Sequence, residues 1–199
     1  MKGFLKRLLG RSEGDDAAYE VYRSLVGQSR LPQFYLHLGV PDTLNGRFDM
    51  MILHAFLLFH RLRGQGETAQ AFGQRVFDIM FDDMDQALRE MGVGDLSVGK
   101  KIRTMASAFY GRANAYAQAL EAFDPAVLDD SLRRNIFADV NVSDDQVARL
   151  AAYVRRSSDR LAQQPTEAIL AGEIQFGPPP EAGCAPEADC GLATLAADR

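Results

Sequence analysis

Residues 44–63, LNGRFDMMILHAFLLFHRLR, constrain the fold of this chain more than any other stretch. Phe48, Met51, Ile52, Ala55, Phe56, Phe59 and Leu62 recur at three- and four-residue steps, the period of an α-helix. Leu53, Leu57 and Leu58 widen this stripe until little of the circumference is polar. A helix of that kind has to be wrapped by others. Its apolar run, MMILHAFLLF, is shorter than the eighteen or so residues of a membrane span and contains His54, so it reads as a buried core helix.

Amphipathic segments and stop signals surround it. Helices are expected from about 15 to 28, over 31–39 with Pro32 in the first turn, from 67 to 91, from 98 to 121, over 126–136 and from 144 to 164, with a further turn at 166–172. In this reading Asp42 caps the long helix, Ser97 or Asp95 caps the helix after GVGDLS, and NVSDD is the capping sequence before residue 144. No strand alternation and no internal repeat is evident. The expected fold is all-α: a single helical domain of about six to eight helices with a disordered C-terminal tail. The expected divisions are a basic amphipathic segment at 1–14, a helical domain at 15–172 and a flexible Pro/Gly/Ala-rich tail at 173–199. Phe4, Leu5, Leu8 and Leu9 share one side of the first segment, with Lys2, Lys6, Arg7 and Arg11 around the other, which suits peripheral contact with an anionic membrane.

Composition removes several function classes. An apolar fraction of 47% with 25% charged residues is that of a soluble globular chain, and the net charge of -5 argues against nucleic-acid binding. No secretory signal is recognisable, so a cytoplasmic setting is expected, peripheral at an inner membrane. Cys184 and Cys190 have neither redox nor zinc spacing and read as incidental thiols. No Walker loop, GxGxxG, GxSxG or ExxH occurs. His37, His54 and His60 are isolated, and His54 reads as a satisfied core histidine. On the 67–91 helix Phe77, Met80, Phe81, Met84, Leu88 and Met91 share the core face. Asp78, Asp82, Asp85 and Arg89 run beside them, with Asp83 and Glu90 in water, so the acids do not converge on an ion. No cofactor and no catalytic residue is expected.

The 98–121 helix is more informative. Val98, Ile102, Met105, Phe109, Tyr116 and Leu120 make its core stripe, while Thr104, Ser107, Ala108, Gly111 and Ala115 make a face of small residues. A mid-helix glycine costs about 1 kcal/mol relative to alanine, so something should offset Gly111. Either a second helix of the same domain packs there or the face is a groove for a partner helix. Arg103, Tyr110, Arg112 and Asn114 flank it and are the expected partner-binding residues with Gly111; Asp42, Arg47 and Asp49 are second candidates. Plentiful Met (7) and Phe (12) suit an adaptable apolar surface.

LPxFY (31–35), VPDTLNGRFDMMILHAFLLFHRL (40–62), FDIMFDDMDQALREMGVGDLSVGKKI (77–102), FYGRANAYAQAL (109–120) and LRRNIF (132–137) together resemble the ubiquinol–cytochrome c chaperone family, with FYGRxxAY and VPDTxxGRF the most specific phrases. The resemblance covers about residues 15–163 and suggests a bacterial member. It implies a helical, non-enzymatic assembly factor for ubiquinol–cytochrome c reductase that binds newly made cytochrome b beside a small partner subunit. Two other readings stay open on the residues alone: a helical metal- or haem-binding protein, and a membrane-surface adaptor.

Overall fold

The computed structural model describes residues 13–180 of the chain, and Cys184, Cys190 and the amphipathic segment 1–11 lie outside them. Eight helices follow one another among the described residues: α1 (Glu13–Ser29), α2 (Pro32–Leu36), α3 (Leu44–Leu62), α4 (Glu67–Glu90), α5 (Asp95–Glu121), α6 (Ala126–Asn135), α7 (Asp144–Gln163) and α8 (Thr166–Leu170). No strand occurs in this range, as the all-α expectation requires.

Helix α3 is the axis of the bundle. It touches α1, α4, α5 and α7, and α6 bridges α5 to α7 on the outside. Met50, Ile52, Leu53, Ala55, Phe56, Leu57 and Leu58 are all buried, which accounts for the nearly continuous apolar run. Each fully buried large side chain contributes about 1.5–3 kcal/mol by leaving water. The methionine and phenylalanine content serves this core more than any surface: Met50, Met80 and Met84 are buried, as are Phe34, Phe56, Phe72 and Phe109. Met91, expected on the core face, is 54% exposed, because α4 ends at Glu90 and the chain turns away. Leu88 and Val98 are buried but stand apart from the main core, so the α4–α5 hairpin runs past the body of the bundle.

The caps differ in part from expectation. Thr43, not Asp42, caps α3: its hydroxyl accepts from Gly46 N at 3.1 Å. Gly46 is required there, because a Cβ on it would stand 2.0 Å from the Pro41 carbonyl oxygen. Neither Ser97 nor Asp95 caps α5, which starts at Asp95 after Gly94 with no side-chain cap; Asp95 instead pairs with Arg89. Ser143 and Gln146 form the complete capping box expected of NVSDD. Asp83 is not free in water: it accepts a 2.7 Å bond from Tyr22 on α1, which ties α1 to α4. At the far end of α3, Arg61 donates to the carbonyls of Leu161 and Gln164, both at 2.7 Å, satisfying the exposed end of α7.

Candidate functional site

The eight expected site residues divide into three groups. Asp42 and Arg47 bracket the start of α3 and pair with each other at 2.6 Å on the exposed surface. The Arg47 guanidinium holds the Asp42 carboxyl below its usual range. This contact belongs to the turn that Thr43 and Gly46 build, and neither side chain faces α5's small residues through any bond in the structure.

The second group joins two helices. Arg112 on α5 reaches Asp49 on α3 at 2.9 Å, and Asp49 is only 8% exposed. Burial pushes the Asp49 carboxyl up to about 6, against the opposing pull of Arg112 and with a further push from Asp139. Tyr116 lies one turn further along α5, fully buried against Phe56, and its hydroxyl has no hydrogen-bond partner among the described residues; nor has Arg112 Nε. Desolvation and the nearby Asp49 charge raise the Tyr116 hydroxyl. The pair is therefore a partly satisfied internal strut. Arg112 and Asp49, expected at a partner surface, sit largely inside the bundle.

The third group is open. Arg103, Tyr110, Gly111 and Asn114 are exposed along α5, with Tyr110 at 62%. A Cβ placed on Gly111 would meet nothing within 4 Å. Thr104, Ser107 and Gly111 are exposed, and Ala108 and Ala115 are half-buried, so no second helix among the described residues closes over Gly111 as the first of the two expectations required. Lys100, Arg103, Thr104, Ser107 and Ala108 line a shallow depression on it. Lys100 and Arg103 form no ion pair among the described residues. Tyr110 is anchored from below by Phe77 and Phe109, at ring distances of 5.9 and 5.5 Å, which hold its ring at the rim. The surface thus offers cations, a fixed aromatic ring and room for close backbone approach.

Sequence reasoning missed a second polar centre, assembled around the one histidine it had placed in the core. His54 Nδ1 lies 2.8 Å from the Met50 carbonyl, which can only accept, so Nδ1 carries the proton. Nε2 then accepts from the Tyr153 hydroxyl at 2.7 Å, and Tyr153 accepts in turn from Gln28 at 3.0 Å. Complete burial drives the His54 imidazole down to about 4, keeping it neutral, and raises the Tyr153 hydroxyl to about 12. No group of three or more His, Cys, Asp or Glu among the described residues is placed to hold a metal ion.

Comparison with known proteins gives the arrangement a context. The family model described as ubiquinol-cytochrome C chaperone matches residues 36–176. Ubiquinol-cytochrome c reductase complex assembly factor 1 of Mus musculus is 27% identical over 163 residues, 81% of this chain and 55% of that protein. Its Homo sapiens counterpart is 26% identical over the same length, 54% of that protein. The chain thus spans about half the length of these curated relatives. The crystal structure of the Cbp3 homolog from Brucella abortus matches with a TM-score of 0.76 at 37% identity, over 83% of this chain and 91% of that one.

Proposed function

The chain belongs to the ubiquinol–cytochrome c chaperone family, and from that premise we propose that it is a non-enzymatic assembly factor for ubiquinol–cytochrome c reductase whose client is newly made cytochrome b. The observation that carries the reading is the outer face of α5. Gly111 stands in mid-helix with open space where its side chain would be, and no contact within the described bundle offsets its cost to the helix. A transmembrane client supplies helices that pack through small residues and close backbone approach. Lys100 and Arg103 beside the depression favour a client segment that carries carboxylates or a helix C-terminus. Arg103, Tyr110, Gly111 and Asn114 are the contact residues in this proposal. Arg112 and Asp49 act one layer below, fixing the rotation of α5 against α3.

No helix among the described residues is long and apolar enough to cross a membrane. The proposal therefore has the protein meet its client from the membrane surface, as a peripheral protein at the inner membrane, beside a small partner subunit. The direct test is genetic and biochemical. Cells lacking the gene should hold less assembled ubiquinol–cytochrome c reductase at unchanged cytochrome b message. Normal assembly in those cells would end the proposal.

A further inference from the structure

Among the described residues two large apolar side chains stand completely in solvent, Leu96 in the first turn of α5 and Phe123 just past its end. Leu96 sits at the tip of the α4–α5 hairpin, and that tip is fully built. Gly92, at φ +81°, turns the chain out of α4; its N–H donates to the Arg89 carbonyl at 2.9 Å, and the Val93 N–H donates to the Leu88 carbonyl at 3.0 Å. Arg89 joins Asp85 on α4 to Asp95 on α5 across the turn. Leu88 and Val98 are buried beneath it. With this closure in place the turn still holds Leu96 outward, and Met91 beside it is more than half exposed.

The charges near the two exposed side chains are opposite. At the hairpin, Asp85 and Asp95 are taken by Arg89, Glu90 accepts from Gln86 at 2.8 Å, and Asp82 stands more than two turns back. Lys100 and Lys101, one turn past Leu96, are exposed and pair with no carboxylate among the described residues. At the other end Glu121 and Asp124 flank Phe123, and Asp129 and Asp130 follow on α6. The cations there are engaged, Arg63 by Glu121 and Arg155 by the Pro125 carbonyl. An anionic surface therefore suits the Leu96 end and is repelled at the Phe123 end. Spacing fits the same partner. Lys100 and Lys101 lie about 6–8 Å beyond Leu96 along the helix, at 1.5 Å per residue. Interfacial anchors bury their apolar side chains about 5–10 Å deep, so with Leu96 at the acyl boundary both ammonium groups reach the phosphates.

We propose that the tip of the α4–α5 hairpin is a membrane-docking site: Met91 and Leu96 enter the acyl boundary of an anionic bilayer while Lys100 and Lys101 hold its lipid phosphates. The inference deepens the peripheral setting of the proposed function and takes its choice of partner from it. Docked in this way, α5 stands up from the bilayer with Gly111 about 22 Å beyond Leu96. The open face then lies beside client segments that leave the acyl layer.

The chain has no tryptophan, so a single Leu96→Trp or Phe123→Trp substitution reports only its own surroundings. Both positions are exposed, and each variant should keep the helical circular dichroism of the wild type. The full-length variants are mixed with phosphatidylglycerol–phosphatidylcholine vesicles, with and without brominated acyl chains, and bound protein is measured by flotation. No client is present, so failure here leaves the cytochrome b reading standing, and failure of that reading leaves the docking site standing. The tryptophan at position 96 should shift to the blue and be quenched by the brominated lipid, while the one at position 123 stays unchanged. Adding Lys100→Glu and Lys101→Glu to Leu96→Trp should raise the lipid concentration for half the shift by about tenfold or more. Vesicles that carry the protein with position 96 unshifted, vesicles that carry no protein, or a shift at position 123 would each overturn the inference.

Discussion

Two of the glycines inside the described helices, Gly46 and Gly111, have opposite surroundings. Gly46, in the first turn of α3, is pressed so closely on the Pro41 carbonyl that an added Cβ would overlap it at 2.0 Å. Gly111, in the middle of α5, faces nothing within 4 Å. Helix propensity penalises both by about 1 kcal/mol relative to alanine. At Gly46 the fold returns that penalty through a tight turn and the Thr43 cap. At Gly111 the fold returns nothing within the described residues, and the proposal assigns that return to a partner chain. Residue type alone does not separate these cases; the space around the missing side chain does.

Breaking the first half of this comparison should have the largest effect. Gly46→Ala forces the Pro41–Thr43 turn away from α3 and should lower stability by about 3 kcal/mol, read as a reduced urea midpoint. An unchanged midpoint would show that the turn yields freely.

Arg112→Ala probes the strut beneath the open face. It strands Asp49, and the expected loss is about 2–3 kcal/mol at pH 8. The sign with pH follows from Asp49, whose folded value of about 6 already lies above the ordinary carboxylate range. Its protonated form is favoured by folding, so its contribution is most favourable at low pH and declines as pH rises through about 6. Removing the cation raises the folded value further, so the loss in Arg112→Ala should shrink at pH 5. Denaturation at both pH values checks this, and a larger loss at pH 5 would contradict it.

Tyr153→Phe should cost about 1–3 kcal/mol, because it leaves His54 Nε2 and a Gln28 N–H without partners inside the bundle. His54 has the opposite linkage to Asp49. Its folded value of about 4 lies below the ordinary histidine range, so the stability tied to its neutral form is present above about 6.5 and is lost as pH falls toward 4. In the wild type the two slopes oppose each other between about pH 4 and 6. Asp49→Asn should unmask the histidine slope, giving stability that rises with pH across that window.

Gly111→Ala should have the smallest effect on the fold, and of opposite sign: a gain of about 0.5–1 kcal/mol, since alanine adds helix propensity and meets open space. A loss would mean that the face is packed after all.

What could be read from residues in order follows the range of each interaction. Local signals did well: the three- and four-residue apolar period of α3 and the capping box at Ser143 each depend on neighbours within a turn or two. The caps missed were near-ties among adjacent polar residues. Asp42 and Thr43 are equally plausible until the Gly46 N–H direction is known, and Asp95 was taken by Arg89. Contacts across sixty residues or more left no local trace, so Tyr22 to Asp83 and Arg112 to Asp49 became visible only with the bundle assembled. For the candidate site, the small-residue face of α5 was legible but its exposure was not. A helical wheel shows which residues share a face and not what stands opposite. Ile174 and Phe176, set in a stretch rich in glycine and proline, looked like the start of a tail because an i, i+2 pair is too short a pattern to stand out.

The measurement that tests the central claim most directly is a membrane pull-down with tagged wild type, Gly111→Leu and Arg103→Glu, with thermal melting of each protein alongside. Leucine at 111 fills the open face without altering charge, and glutamate at 103 reverses charge without filling it. The account predicts that all three melt as folded helical proteins, that wild type recovers cytochrome b, and that both variants lose it. Folded variants that still recover cytochrome b as wild type does would contradict the account and remove the α5 face from the site.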